Sequence, residues 1–475
     1  PDEWGPFAPP PLPAHVPISA ALAYRLDADR AEIEDGRFAT ERTHVTFVGE
    51  TAWGEQSRFQ FRVASGDFQQ SDQLLAGIMT NFGSPTGAVP FGGRGDFSGV
   101  MTGALRRPRV EGVFRGDDLR AWDTVWGSGS GRIVVENNYV SVTDGVVRRN
   151  GSEIRADGLF SLGYPRRDSG DEIDARFRVV GRDVASLRHA FAIDDYPLLG
   201  ALTGEFHLTG SYEKPLGFGS MTIEQGRAWN EPFRTANANL RFDGTGVRLD
   251  KAEMSGMAGG TMTGAAYIGW DSTYSFSAEA RRIPVATVAA FNYPQLAPDG
   301  SIDFTASGNG TFDDPQYDVK FRINDLVVKS ESVGQVTGTL ALRGDELSGE
   351  MNAASPRLAV TGTGRIALTP QADAEIMFRF HDSSLDLPVR LFMPTLSPLT
   401  TAIANGSIRV AGELADWDHL LVDATVDSVD MRLFDYAVRN AGPVRLALDG
   451  QVIRVEDLRL VGDGSRLTVG GTIGL

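Results

Sequence analysis

The stretch that decides the fold reads Leu198-Leu199-Gly200-Ala201-Leu202-Thr203-Gly204-Glu205-Phe206-His207-Leu208-Thr209-Gly210, with Pro215 behind it. From Glu205 to Thr209, polar and apolar residues alternate one by one. A period of two is typical of a β-strand that has one apolar face and one polar face. The stretch therefore predicts a half-buried antiparallel strand that is closed by a glycine.

This closing glycine recurs along the chain. Gly103, Gly210, Gly310 and Gly412 end similar runs at steps of 107, 100 and 102 residues. Two further anchors keep the same order and a similar spacing. They are the apolar pairs Leu22/Tyr24, Ile133/Val135, Leu240/Phe242, Leu340/Leu342 and Leu446/Leu448, and the glycines Gly49, Gly158, Gly264, Gly364 and Gly471. Three anchors with one order predict a repeat of about 100 residues.

The repeat divides the sequence without visible linkers. We expect an extended Pro-rich lead-in at 1–17, a partial first repeat at 18–90, repeats at 91–190, 191–290 and 291–394, and a last repeat, complete or truncated, at 395–475. The alternation continues through residues 172–179 between two of these repeats. One continuous sheet is therefore expected, instead of separate β domains.

Each repeat also holds one short apolar segment that breaks the alternation and predicts a brief helix. These segments are 73–79, 184–192, 285–291 and 387–392, and Pro388 limits the last one. Four dipeptides, Asp243-Gly244, Asp299-Gly300, Asn405-Gly406 and Asp449-Gly450, predict tight hairpins. The predicted fold class is mostly all-β: an elongated, repetitive, U-shaped antiparallel β-groove with one short helix per repeat. At ~10–12 residues per strand and turn, about 40 strands are expected, which span on the order of 190 Å.

Composition excludes several classes of function. The net charge of −17 argues against nucleic-acid binding, which needs a basic face. The chain has no cysteine, so thiolate catalysis, disulfides and Cys-ligated metals are excluded. None of the six histidines stands in a zinc-protease pattern, and Asp243-Gly244-Thr245-Gly246 favours a turn over a calcium loop. We therefore expect no enzyme and no metal site.

The candidate site is an apolar row that repeats along the chain. Such a row is ordinarily core, but one short helix per repeat is too little to cover so many strands. We therefore expect an open groove. The expected lining residues are Leu22, Tyr24, Ile133, Val135, Phe206, Leu208, Leu240, Phe242, Ile302, Phe304, Val319, Phe321, Ile323, Leu340, Leu342, Ile408, Val410, Leu446 and Leu448.

The ordered anchors resemble those of the TamB/AsmA-like family, the periplasmic bridge proteins of double-membraned bacteria. The resemblance is carried by residues 198–215, their counterparts at 300–315 and 406–417, and the closing run 465–474, and it covers roughly residues 18–475. It implies a U-shaped β-groove that moves phospholipids between inner and outer membranes without catalysis. It also implies an inner-membrane anchor outside this sequence. The sequence begins at Pro1, and we expect it to be an internal piece of a longer protein. No cofactor is expected; phospholipid or its acyl chains are the expected bound molecules.

Two alternatives to lipid transfer stay open at this point. One is a scaffold for the assembly and secretion of outer-membrane β-barrel proteins, with a barrel as partner. In that case its strand edges would pair with nascent strands. An array of about four separate carbohydrate-active or adhesive β domains is the other alternative.

Overall fold

A computed structural model describes most of the chain and assigns 28 strands, two α-helices and one 3₁₀ turn. The described residues are 17–81, 91–121, 123–162, 171–190, 194, 197–228, 230–288, 297–328, 331–385, 400–414, 416, 419–433, 436–450, 452–462 and 464–474. All 28 strands belong to one sheet, and every pair whose register is described is antiparallel. The predicted mostly all-β fold class is confirmed.

The chain divides into two compact units, residues 1–250 and 251–475. In the first unit, strands β1 to β13 each pair with the next strand in sequence, from β1–β2 to β12–β13. These strands are β1 (Ser19–Leu26), β2 (Ala31–Ala39), β3 (Thr43–Ala52), β4 (Gln56–Ser65), β5 (Gly92–Ala104), β6 (Arg107–Ala121), β7 (Thr124–Glu136), β8 (Tyr139–Arg149), β9 (Ser152–Ser161), β10 (Ile173–Asp183), β11 (Leu198–Gly210), β12 (Pro215–Ala228) and β13 (Glu231–Asp243). Strand β14 (Gly246–Gly256) contains the boundary between the units.

The second unit continues this pattern of neighbouring antiparallel strands. Its strands are β15 (Thr261–Gly269), β16 (Thr273–Pro284), β17 (Pro298–Thr311), β18 (Pro315–Val328), β19 (Glu331–Arg343), β20 (Glu346–Ser355), β21 (Leu358–Ala367), β22 (Asp373–Ser384), β23 (Thr400–Glu413), β24 (Leu420–Leu433), β25 (Tyr436–Asn440), β26 (Val444–Asp449), β27 (Val452–Gly462) and β28 (Ser465–Gly474). The short strands β25 and β26 both pair with β24 on one side and β27 on the other.

Two helices and one turn interrupt the strands. Helix α1 (Phe68–Asn81) and helix α2 (Val184–Ala190) begin where an aspartate accepts hydrogen bonds from free N–H groups of the first turn. Asp67 Oδ1 accepts from the backbone N–H groups of Gln69 and Gln70 at 3.1 and 3.3 Å, and Asp183 Oδ1 accepts from that of Ala185 at 3.1 Å. Both aspartates therefore act as N-caps.

The predicted helices are present to different extents. The segments 73–79 and 184–192 lie in or overlap α1 and α2, whereas the described part of 285–291 forms only the 3₁₀ turn Val285–Thr287. Segment 387–392 lies outside the described residues, as do residues 1–16 of the Pro-rich lead-in. The repeat boundaries stay a prediction.

Two of the four predicted hairpin turns are wrong. Asp243-Gly244 and Asp449-Gly450 do lie between strands, but Asp299-Gly300 lies within β17 and Asn405-Gly406 within β23. Both pairs coincide with register shifts. The conformational freedom that suits Asp-Gly and Asn-Gly to tight turns also suits β-bulges, so the dipeptide alone does not separate the two. The expected strand number of about 40 is also too high, because several strands run to 14 or 15 residues.

The bulges repeat along the chain with the period of the sequence anchors. Asp118, Gln225 and Asp325 all have positive φ, at 57°, 47° and 52°, and follow one another at steps of 107 and 100 residues. All three stand where the register of a strand pair shifts. The sequence repeat is therefore also a repeat of backbone geometry.

A second set of bulges is held by side chains from the following strand. The backbone N–H groups of Gly181, Arg282 and Asp382 donate to Thr203 Oγ1, Asp303 Oδ1 and Asn405 Oδ1, at 3.1, 2.7 and 2.8 Å. In the first two cases the chain then enters α2 or the 3₁₀ turn. These hydrogen bonds stabilise the positive φ of Arg282 and Asp382, a conformation that is costly for residues other than glycine.

Candidate functional site

The strand registers place the predicted lining residues of each unit on one face of its sheet, because directly opposed residues in antiparallel strands share a face. In the first unit, one row passes through every strand from β1 to β13. Its members are Leu22, Gly36, Phe47, Phe61, Gly99, Gly112, Ile133, Val142, Gly158, Ala175, Leu208, Gly217 and Phe242. A neighbouring row on the same face holds Tyr24 and Val135. On this face, Phe206 also lies opposite Gly219, and Gly219 lies opposite Leu240.

The second unit has the same arrangement. A row of thirteen residues passes from β15 to β28: Met262, Ala280, Phe304, Phe321, Gly338, Met351, Gly362, Phe378, Ile408, Ala424, Leu446, Val455 and Gly471. Val319, Leu340, Val410 and Leu448 lie in the next row of the same face, and Leu342 lies one row further. We refer to this side of each sheet as the apolar face.

One strip of the apolar face in the second unit is core. Val285 of the 3₁₀ turn is 1% exposed and packs on Ile302, Ile323, Val336 and Ala353. These four residues come from β17, β18, β19 and β20, and we call them the core strip. The short segment that breaks the alternation therefore covers the apolar face close to the bulges.

Beyond the core strip, the apolar face of these strands is half-buried and includes an exposed side chain. Phe304 and Phe321, one row away, are half-buried. Two rows away lies the open strip, which comprises Val319, Leu340, Gly349, Gly364, Ile376, Val410, Val422 and Leu448. Leu340 in this strip is 38% exposed, a large fraction for an apolar side chain that faces the same side as a core. The face is therefore neither entirely core nor entirely open.

The expected lining residues consequently fall into three classes. Ile302 and Ile323 are buried in the core strip, which is a correction to the expectation that they line an open groove. Leu22, Tyr24 and Leu340 are exposed. The remaining members of the set are half-buried.

Glycines recur beneath aromatic rings on the apolar face. An added Cβ at Gly36 would stand 2.6 Å from the ring of Phe47 on the next strand, and one at Gly219 would stand 2.6 Å from that of Phe206. Each ring thus occupies the space above a neighbouring glycine. This arrangement shields the glycine backbone and keeps the ring low on the sheet.

The opposite face of the sheet is polar and carries exposed ion pairs. Glu375 on β22 accepts hydrogen bonds from Arg409 and Arg365 at 2.9 and 3.0 Å, and these bonds, from Arg409 first, hold the pKa of Glu375 below its ordinary value. His207 Nε2 lies 3.0 Å from Asp174 Oδ1. We call this side the polar face.

Sequence reasoning missed one buried charge. Arg182 is 2% exposed, and its guanidinium lies 5.2 Å from the ring centroid of Trp126 and 3.3 Å from the carbonyl oxygen of Val125. Burial lowers the pKa of Arg182 below its ordinary value. Arg182 follows Gly181 at a bulge, and the break in alternation after Val180 is the only local signal for it.

Within the described ranges, no three His, Asp or Glu side chains are grouped closely enough to hold a metal ion. The sequence Asp243-Gly244-Thr245-Gly246 is a turn: Asp243 Oδ1 accepts from the backbone N–H and hydroxyl of Thr245 and from the N–H of Gly246, at 2.8–3.0 Å. These bonds, chiefly from the Thr245 backbone, lower the pKa of Asp243.

No protein-family model matches the chain, and no curated protein matches it either. Among the helices that the structure describes, none combines the length and apolar character that a membrane span requires.

Proposed function

We propose that the apolar faces bind the acyl chains of phospholipids, and that the protein transfers lipid between two membranes without catalysis. The observation that carries this proposal is the open strip. It includes the 38%-exposed Leu340, passes through Gly349 and Gly364 to Ile376 and Val410, and crosses consecutive strands without an interposed charge. An unbroken apolar surface is what a lipid tail needs and what a soluble protein ordinarily hides.

The energetics of hydrocarbon support a transfer role. Each CH₂ group gains about 0.8 kcal/mol when it leaves water for an apolar surface. A strip with the same chemistry on every strand offers nearly equal energy at successive positions, so a tail moves along it without a large barrier. Headgroups need no dedicated site, because they remain in water beside the strip.

The setting of this activity rests on the resemblance to the TamB/AsmA-like family. We propose the periplasm of a double-membraned bacterium, an inner-membrane anchor in a part of the protein outside this sequence, and phospholipids as the cargo. An outer-membrane β-barrel is the proposed protein partner.

A scaffold for outer-membrane barrel proteins is the second candidate. It is favoured by β1, which pairs only with β2 among the described strands and exposes Leu22 and Tyr24 at 52% and 57%. An unpaired strand edge beside apolar side chains can accept another strand. In that role the ligand is a polypeptide, and no lipid is expected on the second unit.

The test is to purify the protein without detergent and identify bound molecules by native mass spectrometry. We expect phospholipid adducts in the wild type, fewer in Leu340→Asp, and wild-type levels in the matched control Thr361→Asp. Thr361 is exposed on the polar face and lies opposite Arg379, so its replacement leaves the apolar face unchanged. Absence of lipid from the wild type, or equal loss in both variants, would contradict lipid transfer.

A further inference from the structure

One cavity of the second unit does not belong to the apolar face. It measures about 1000 Å³ and is lined by residues from six consecutive strands of the second unit, β16 to β21. It is centred on the row that includes Phe304, Phe321 and Met351, and it also touches the residues on either side of that row in each strand. Residues that flank an apolar-face residue along a strand point to the polar face.

The next residues along the apolar face are absent from the lining. Ile302, Ile323 and Val336 would border a cavity on that side, but none of them lines this one. The lining instead holds two rows of polar residues with a strip of backbone between them. The cavity is therefore a trough on the polar face, and it is distinct from the open strip.

The centre of the trough is cationic. Lys320 and Arg322 project from β18 to the same face, about 6.6 Å apart by strand geometry. Neither forms an ion pair with any residue that the structure describes, and both are exposed. By contrast, Arg281 in the same trough is paired with Glu279 at 2.7 Å.

Hydroxyl groups surround the two cations. Lys320 lies directly opposite Thr305 on β17 and Thr339 on β19, and Arg322 lies directly opposite Asp303 and Thr337. Asp303 already accepts hydrogen bonds from the Arg282 backbone N–H and from Asn324, at 2.7 and 3.0 Å. Its carboxylate is thus engaged with neutral donors.

We propose that this trough is a binding site for a phosphate-bearing, water-soluble molecule. The Thr339 hydroxyl already donates to Glu350, a carboxylate of the trough lining, at 3.4 Å. The two cations and the hydroxyls of Thr305 and Thr337 still supply more donors than the two oxygens of a carboxylate can use, whereas a phosphate group presents three strong acceptor oxygens. The chain carries a net charge of −17, so an anion is repelled by the molecule as a whole and is attracted only where cations are unpaired. The ligand is not the lipid of the proposed function, since the trough opens on the opposite face.

The probe is inorganic pyrophosphate, titrated into the protein by calorimetry at low ionic strength. We expect saturable binding with one site, weakened at least tenfold in the double variant Lys320→Gln/Arg322→Gln and reduced by added salt. Lys320→Arg is expected to retain binding. Arg379→Gln is the matched control, because Arg379 is exposed on the polar face of β22 but does not line the trough.

Three results would overturn the proposal. They are the absence of saturable binding by the wild type, unchanged binding in the double variant, and an equal loss in Arg379→Gln, which would indicate attraction to any surface arginine. Succinate is titrated as a second probe, and equal affinity for it would overturn the assignment to phosphate. Thermal unfolding of each variant verifies that the sheet is intact, since all three side chains are exposed.

Discussion

The ring of Phe321 on β18 occupies the space where Gly338, directly opposite on β19, would carry a side chain. An added Cβ at Gly338 would stand 2.6 Å from Phe321 Cζ and 2.4 Å from the carbonyl oxygen of Glu350. Gly406 has the same relation to Phe380, at 2.7 Å. The glycines of the apolar face therefore let aromatic rings lie low beside the open strip.

This relation predicts that a side chain at position 338 destabilises the protein. We expect Gly338→Ala to lower the free energy of unfolding by about 1–3 kcal/mol, because both the ring and the Glu350 backbone must shift. Gly442→Ala is the control, since a Cβ there meets no atom within 4 Å. Chemical denaturation of both variants measures the difference, and equal stabilities would show that the ring moves aside at no cost.

We expect an inserted charge to destabilise the protein much more in the core strip than in the open strip. Ile302→Asp buries an unpaired carboxylate beneath Val285, so we expect a loss of several kcal/mol and an unfolded second unit. Leu340→Asp leaves its carboxylate hydrated, and we expect a cost of about 1 kcal/mol. Circular dichroism during thermal unfolding measures both. If Leu340→Asp unfolds the protein as Ile302→Asp does, the whole apolar face is core.

Asp303 is a poor choice for a neutral control on the polar face. Sequence alternation alone predicts that Asp303→Arg is harmless, since the residue points away from the apolar face. Its carboxylate nevertheless accepts the Arg282 backbone N–H at the bulge before the 3₁₀ turn. We therefore expect Asp303→Arg to destabilise this bulge, and faster hydrogen exchange of the Arg282 amide measures it, with Thr305→Arg as the comparison. Unchanged exchange at Arg282 would show that the bulge holds without Asp303.

The 3₁₀ turn stabilises the core strip through one side chain. Val285→Ala removes two methyl groups from a site that is 1% exposed, and we expect a loss of about 2 kcal/mol. Thr287→Ala, in the same turn but with an exposed side chain, is expected to cost much less. Denaturant midpoints of the two variants compare them; similar losses would mean that the turn acts through its backbone and not through packing.

The sharing of one face by Phe304 and Phe321 follows from sequence because strand periodicity is local. The burial of Ile302 and the exposure of Leu340 do not follow, although both residues alternate identically, because burial depends on where the segment at Val285 packs across four strands. The bulge at Arg282 does not follow from sequence either, because arginine gives no signal for positive φ, whereas Asp325 belongs to a residue type that tolerates this conformation. The repeated pattern of strands can be predicted from sequence, whereas the exposure of each side chain depends on tertiary packing.

Acid sensitivity is expected from the exposed ion pairs. The folded pKa of Glu375 lies below its ordinary value of 4.5, with Arg409 as the first cause, so its contribution to stability is present above that value and is lost as pH falls through the folded pKa. We expect Glu375→Gln to lose less stability than wild type on acidification. The effect is small because the pairs are solvent-exposed.

Thermal midpoints at neutral pH and at about pH 3 measure this difference, since that interval spans the ordinary carboxyl range. Glu350→Gln serves as the control because Glu350 forms no ion pair with a described residue. An identical acid response in wild type and Glu375→Gln would show that the pair with Arg409 and Arg365 does not contribute to folding.

The most direct test of lipid binding is site-specific photo-crosslinking in cells of a double-membraned bacterium. A benzophenone amino acid replaces Leu340 in the open strip or Thr361 on the polar face, and adducts are identified by mass spectrometry after irradiation. The account predicts phospholipid adducts at position 340 and none at position 361. Polypeptide adducts without lipid at 340, or equal lipid labelling at both positions, would contradict it.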